Sequence, residues 1–262
     1  MWPKRIRYLN FLILFLTVNV SAEYKITVLA TNISNYGGFG EWSFSALYES
    51  DEESVLFDTG FHEDTVLHNA KILNKDLSKV NKVVLSHFHS DHTGGLIKLR
   101  QVYKELNADA FSEVYVARGF FDQRYYKDGS MEGPGNYRDS SKFKKAAEEE
   151  GISFIILDDY KKISNNLYAT GTVERVVEKY NGPKGFYLDK DLTIPDIIRD
   201  DQSVGMLTDN GWIMMSGCGH SGIINTAMKL QSIKNEPVYG LSLIHISEPT
   251  RPRLISYAVF CL

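Results

Sequence analysis

The stretch Val83–Gly95, "VVLSHFHSDHTGG", constrains this chain more than any other part of it. Three histidines and an aspartate fall within six positions, between an apolar run and a Gly-Gly pair. Along an extended segment alternate side chains share a side, so the imidazoles of His87 and His89 point the same way. Asp91 and His92 follow at the next bend, where a second ion could be gripped. Imidazole nitrogen and carboxylate oxygen suit zinc, manganese or iron, and an open coordination position leaves room for water. Core packing accounts for a lone histidine, not for four such donors together.

The rest of the chain reads as alternating strands and helices around this loop. "YKITVLATN" alternates apolar and polar residues, and "SFSALYES" with "SVLFDTG" reads as a hairpin pair closing on Asp58. "HEDTVLHNAKILN" has helical spacing, "KVVLS" is a buried strand, and "GGLIKLRQVYKEL" and "SKFKKAAEEEG" read as helices. The strands "SEVYVA", "ISFIILD" and "NLYATG" follow in order. "SVGMLTDNGWIMMSG" holds an Asn-Gly turn signal between two apolar runs, "SGIINTAMKLQSIK" is an amphipathic helix, and "PVYG" begins another strand. This order predicts one layered α/β domain, and 262 residues suffice for it. The aperiodic, aromatic segment from Arg118 to Arg138 is a candidate lid or binding loop, with a mobile surface loop as the equal alternative. Its Arg118, Arg124 and Arg138 are candidates for reading a phosphate or carboxylate, each set against a solvated surface role. His62 and His68 fall at non-ligand positions on or beside a helix and are expected at the surface.

His87-x-His89-x-Asp91-His92 resembles the signature of the metallo-β-lactamase superfamily, and "VLFDTG" resembles that superfamily's first motif. "SGCGHSGIINT" is similar to the "GCxHxGxxN" segment of the subgroup named for the dihydropterin ribofuranosylaminobenzene phosphate synthase. The resemblance spans roughly Tyr24 to Gly240. It implies an αββα sandwich in which His87, His89, Asp91, His92 and His220 hold one or two divalent ions, zinc first, with manganese and iron as alternatives. Asp58 would order the His loop rather than bind metal. Cys218 stays open between a ligand and a buried bystander thiol. Asp200 and Asp201 could line the cavity, with a turn role as the plainer reading. The implied chemistry is hydrolysis of a small molecule at an ester, lactone, amide or phosphoester centre, with Asp91 orienting the nucleophile. A phosphate-synthase-like transferase, an iron-dependent redox enzyme and a metal-binding protein without catalysis remain alternatives. The net charge of −4 offers no electrostatic case for a nucleic-acid partner.

Both ends carry separate expectations. Residues 1–22 combine Lys4, Arg5 and Arg7 with a short apolar run and small residues at Ser21 and Ala22, the three-part pattern of a cleaved secretory signal. The mature domain, residues 23–240, would then be periplasmic or secreted in a bacterium, with no stable membrane association. At the other end, "LSLIHISEPTR" and "ISYAVFCL" match in-frame translations of a sequencing adapter and its primer, so residues 241–262 are expected to be foreign. His245, placed where a last ligand would be wanted, is discounted with them. Members of the subgroup finish the second site with a histidine in a "GGxH"-like turn after a "PVYG"-type strand. The chain as written is therefore expected to lack its last strand-loop-helix unit and to be weakened for it.

Overall fold

Alternation along the strands decides the architecture. In β2 (Ser45–Glu49) Leu47 turns to one core while Ala46 and Tyr48 turn to another. In β3 (Ser54–Phe57) Leu56 joins the first core and Val55 and Phe57 the second. A strand apolar on both faces must be covered on both faces, and this one is. The computed structural model describes residues 24–34, 36–180 and 182–243. The expected signal at residues 1–22, His245 and the chain from residue 244 onward lie outside them.

The first sheet has six strands, β1-β2-β3-β4-β5-β8. Strands β1 (Lys25–Ala30), β2 and β3 are antiparallel, and β4 (Val80–Val84), β5 (Glu113–Ala117) and β8 (Ser153–Leu157) then add in parallel to β3. Helices α1 (Thr65–Ile72), α3 (Leu96–Tyr103) and α4 (Ser140–Glu149) cover its outer face through Val66, Ala70, Leu96, Leu99, Phe143 and Ala147. Between β4 and α3 lies a single helical turn, α2 (Ser90–Thr93). The Asp139 side chain caps α4 by accepting from Ser141 N and Lys142 N, and Gly151 ends it at φ +84°.

The second sheet has five strands, β13-β12-β11-β10-β9. Strands β9 (Lys161–Lys162), β10 (Leu167–Ala169), β11 (Ser203–Thr208) and β12 (Gly211–Ser216) are antiparallel, and β13 (Val238–Leu243) lies parallel to β12. Ile213 and Met215 face the core between the sheets, while Trp212 and Met214 face α5 (Ile223–Ile233) through Leu230. The layers therefore run helix, sheet, sheet, helix, the αββα sandwich that the sequence resemblance implies. Strand β13 continues three residues past Gly240 along β12. Among the described residues, no helix is long and apolar enough to cross a membrane.

The aperiodic candidate lid contains a short hairpin, β6 (Arg124–Tyr125) with β7 (Met131–Glu132), and it is firmly tied. Gln123 Nε2 donates to the carbonyls of Arg124, Glu132 and Arg138, and Gly135 N donates to Thr93 Oγ1 at 2.7 Å. Two-residue strands are too short to leave an alternating pattern in the sequence.

Candidate metal centre

Parallel pairing of β3 and β4 brings their C-terminal ends side by side, and both ends carry polar loops. Asp58 follows β3 with φ +58°, a left-handed backbone that a non-glycine residue adopts at a cost. That turn buries its carboxylate beneath the His loop. There it accepts from Ser86 N at 2.6 Å and Ser86 Oγ at 2.8 Å, and lies 2.6 Å from His92 Nδ1. Gly95 opens α3 where a Cβ would collide with the Thr59 carbonyl oxygen, so only glycine lets the helix start this close to the β3 loop. The third strand end is that of β12. Its turn, residues 217–222, can approach Ser86 because Gly217 has no Cβ to meet that hydroxyl.

These ends converge. His87 Nε2 and His89 Nδ1 face each other at 2.8 Å, and the His87 ring lies 4.8 Å from that of His220. The donor atoms of His87, His89, Cys218 and His220 all lie within 4.8 Å of one another, as do those of Asp91, His92 and Cys218. Cys218 Sγ is 3.2 Å from His92 Nε2, and Asp91 Oδ2 is 3.5 Å from the same nitrogen. Every residue that the sequence proposed as a ligand is thus in one cluster. Cys218 stands between the two groups, within reach of both.

Electrostatics divides the cluster. Burial, then the neighbouring imidazoles, holds His87 and His220 well below the ordinary histidine range, and burial brings His89 to about 4. All three are neutral lone-pair donors at neutral pH. Burial also opposes the charged form of His92, but Cys218, Asp58 and Asp91 outweigh it and push that pKa well above 6.5. Burial would raise Asp91, yet the hydrogen bond and charge of His92 hold it at about 2. The Nε2 atoms of His89 and His220 are buried with no hydrogen-bond partner. Such atoms cost folding free energy of about 1–3 kcal/mol each, and a divalent cation is the group that this donor set fits.

One pH effect follows for the metal-free protein. Folded His89 resists a proton down to about pH 4, whereas the unfolded residue takes one up near 6.5. Between those values the unfolded state binds more protons, so this residue's contribution to stability is lost as pH falls. His89→Gln lacks the effect. In the presence of a chelator, its stability relative to the parent is expected to shift by about 2–3 kcal/mol in its favour between pH 7 and pH 4. Urea titrations at the two pH values check this; an unchanged difference would show that His89 is not held neutral by burial.

Several expectations need correction. Arg124 neither reads an anion nor sits in solvent: it is 1% exposed and paired with Asp196 at 3.0 Å and Asp200 at 2.7 Å. Arg118 pairs with Asp158 at the surface, and Arg138 is exposed. Asp200 lies in the turn ahead of β11, as the plainer reading has it, and Asp201 follows it, both fully buried. Asp200 accepts from Phe88 N at 2.8 Å and Asp201 from Ser221 N at 2.7 Å, so each grips one donor-bearing loop, and burial pushes both up to about 6. His62 is exposed as expected, but His68 is half-buried, stacked on Phe39 with its Nε2 2.7 Å from the Gly37 carbonyl.

The irregular segment between β10 and β11 went unread in the sequence, yet it frames the site. Arg175 donates to the His220 carbonyl at 3.3 Å and to those of Ile197 and Ile198. Phe186 packs on His89 with ring centres 5.7 Å apart. Asn225, the last position of the "GCxHxGxxN" match, accepts from Val176 N and Val177 N and donates to Ser221 O, fastening this segment to the His220 turn.

Residues 43–226 match the metallo-beta-lactamase superfamily, and the chain belongs to that family of metal-binding αββα proteins. Within it, the chain is 25% identical over 246 residues to the 7,8-dihydropterin-6-methyl-4-(beta-D-ribofuranosyl)-aminobenzene-5'-phosphate synthase of Methanocaldococcus jannaschii, covering 88% of this chain and 81% of that one. An uncharacterized protein of the same archaeon is 29% identical over 240 residues, covering 88% and 84%. The crystal structure of Tm1679, a metal-dependent hydrolase of the beta-lactamase superfamily, shares the fold with a TM-score of 0.66. It is 24% identical and covers 87% of this chain and 80% of that one.

Proposed function

We propose that this chain is an exported metal-dependent hydrolase of an ester, phosphoester or lactone-type small molecule, with His87, His89, His220, Asp91, His92 and Cys218 as the donors. The observation that carries the reading is the pair of buried, partnerless Nε2 atoms, on His89 and His220, within a cluster of six donors. A divalent ion, zinc in the first instance, supplies Lewis-acid activation of water and stabilises negative charge that develops on the substrate. The protein's own groups do the rest. Asp91 is ionised at neutral pH and accepts a hydrogen bond from the attacking water, which orients it. Asp58 and Ser86 hold the His92 ring, and Phe186 shields one side of His89 from solvent. By accepting from His92 Nδ1, Asp58 also fixes that Nε2 is the nitrogen facing the centre.

A transferase of the phosphate-synthase type is the second reading, favoured by the 25% identity to that synthase across 88% of this chain. Export away from cytosolic cofactor pools argues for hydrolysis. Full-length protein reconstituted with zinc, manganese or iron and offered phosphoesters, lactones and β-lactams separates the readings. Turnover with water as the only co-substrate is expected on one of the first two classes. A metal-loaded protein that hydrolyses none of them would overturn the hydrolase reading.

A further inference from the structure

The guanidinium of Arg124 is fully buried yet touches none of the donor side chains. Nε reaches Asp196 Oδ2 at 3.0 Å and one terminal nitrogen reaches Asp200 Oδ1 at 2.7 Å. The other terminal nitrogen donates to the carbonyls of Phe120 at 3.0 Å and Asp122 at 2.7 Å. Its flat face lies 3.8 Å from the centre of the Phe88 ring. The second oxygen of Asp200 accepts from Phe88 N, within the backbone that joins His87 to His89. Two hydrogen bonds and one stacking contact therefore run from Arg124 to the residue between two of the donors.

Such an arrangement is a poor way to gain stability. Burying three charges costs solvation that their attraction only partly returns, and apolar groups of equal volume fold as well or better. What a buried, forked ion network does supply is a fixed geometry. Here the geometry fixed is that of the Phe88 peptide. Phe186 presses on the same place from above, 6.1 Å from the Phe88 ring and 5.7 Å from that of His89.

We infer that Arg124 is a positioning residue of the metal centre: braced by Asp196 and Asp200, it sets the Phe88 peptide and hence the angle at which His87 and His89 present their nitrogens. The inference rests on the reading that those histidines hold the ion. It also gives the 118–138 segment a role different from that of a mobile cover. Its hairpin carries Arg124, so a displacement there is felt at the donors through a short chain of hydrogen bonds.

The test uses full-length protein with Arg124→Lys and Asp196→Asn. Lysine keeps the charge but has no planar fork, so it cannot hold two carboxylates and stack on Phe88 at once. Asp196→Asn keeps the volume and removes one brace. Cobalt(II) reports on donor geometry through its visible absorption bands, and competition with a chelator gives its affinity. Urea unfolding of the chelated protein measures stability separately. Both variants are expected to bind cobalt roughly 10- to 100-fold more weakly than the parent, with shifted bands. If the lysine variant does not fold, Asp196→Asn carries the test. A folded variant with the parent's affinity and spectrum overturns the inference and leaves the metal centre standing. A parent that takes up no cobalt overturns the metal centre itself, and this inference with it.

Discussion

His220→Ala is expected to lower kcat/KM by about a thousandfold or more, equivalent to about 4 kcal/mol of transition-state stabilisation, while leaving the metal-free protein as stable as the parent or more so. The two halves of this expectation come from the same atom. His220 Nε2 is buried and has no hydrogen-bond partner, so the folded chain already bears the cost of desolvating it. Removing the ring relieves that cost, and the cavity left behind offsets the gain. The ion, in contrast, loses one of the four donors gathered around His87. Measured together, kcat/KM, metal content and the urea midpoint in chelator distinguish a functional histidine from a structural one. A structural His220 would instead lower the midpoint and leave metal content unchanged.

Asp58 is the opposite case, a residue that matters to fold and site alike. Its carboxylate is fully buried among Ser86 N, Ser86 Oγ and His92 Nδ1. Asp58→Ala leaves these groups unpaired and places alanine in a left-handed conformation, so the loss of stability is expected to be about 3–5 kcal/mol. Asp58→Asn tests the site more selectively. Asparagine tolerates the same backbone and still accepts from Ser86 N, but it removes the charge that holds the His92 ring. The asparagine variant is expected to fold and to bind metal about 10- to 100-fold more weakly, because groups that orient a ligand contribute on that scale. Chelator competition on the folded variant checks the second figure, and denaturant titration of the alanine variant checks the first.

The sequence was most readable where its signal was local. His87, His89, Asp91 and His92 lie within six positions, and the strands around them are short apolar runs buried on both faces, so both the loop and its supports could be placed. His220 and Asp58 were reached through motif resemblance. What stayed hidden was held across long separations by residues with no periodic setting. Phe88 N and Asp200 are 112 positions apart, and Arg124 meets Asp196 across 72. Arg124 reads as an anion-binding or solvated cation because nothing near it in the chain announces the two carboxylates that bury it. Arg175 and Phe186 lie in a stretch without regular structure, where a side chain's direction is set by tertiary contacts alone. The exception is Asn225, whose place in the "GCxHxGxxN" segment could have flagged it as the tie between that stretch and the His220 turn.

On the proposed reading, His87, His89, Asp91, His92, Cys218 and His220 together form a place for a divalent ion. Calorimetric titration of the chelator-stripped full-length protein with zinc, repeated with His220→Ala, decides whether they do. At least one tightly bound equivalent in the parent, weakened or absent in the variant, is the predicted result. A parent that binds no zinc, manganese or iron, or a variant that binds as the parent does, would contradict it.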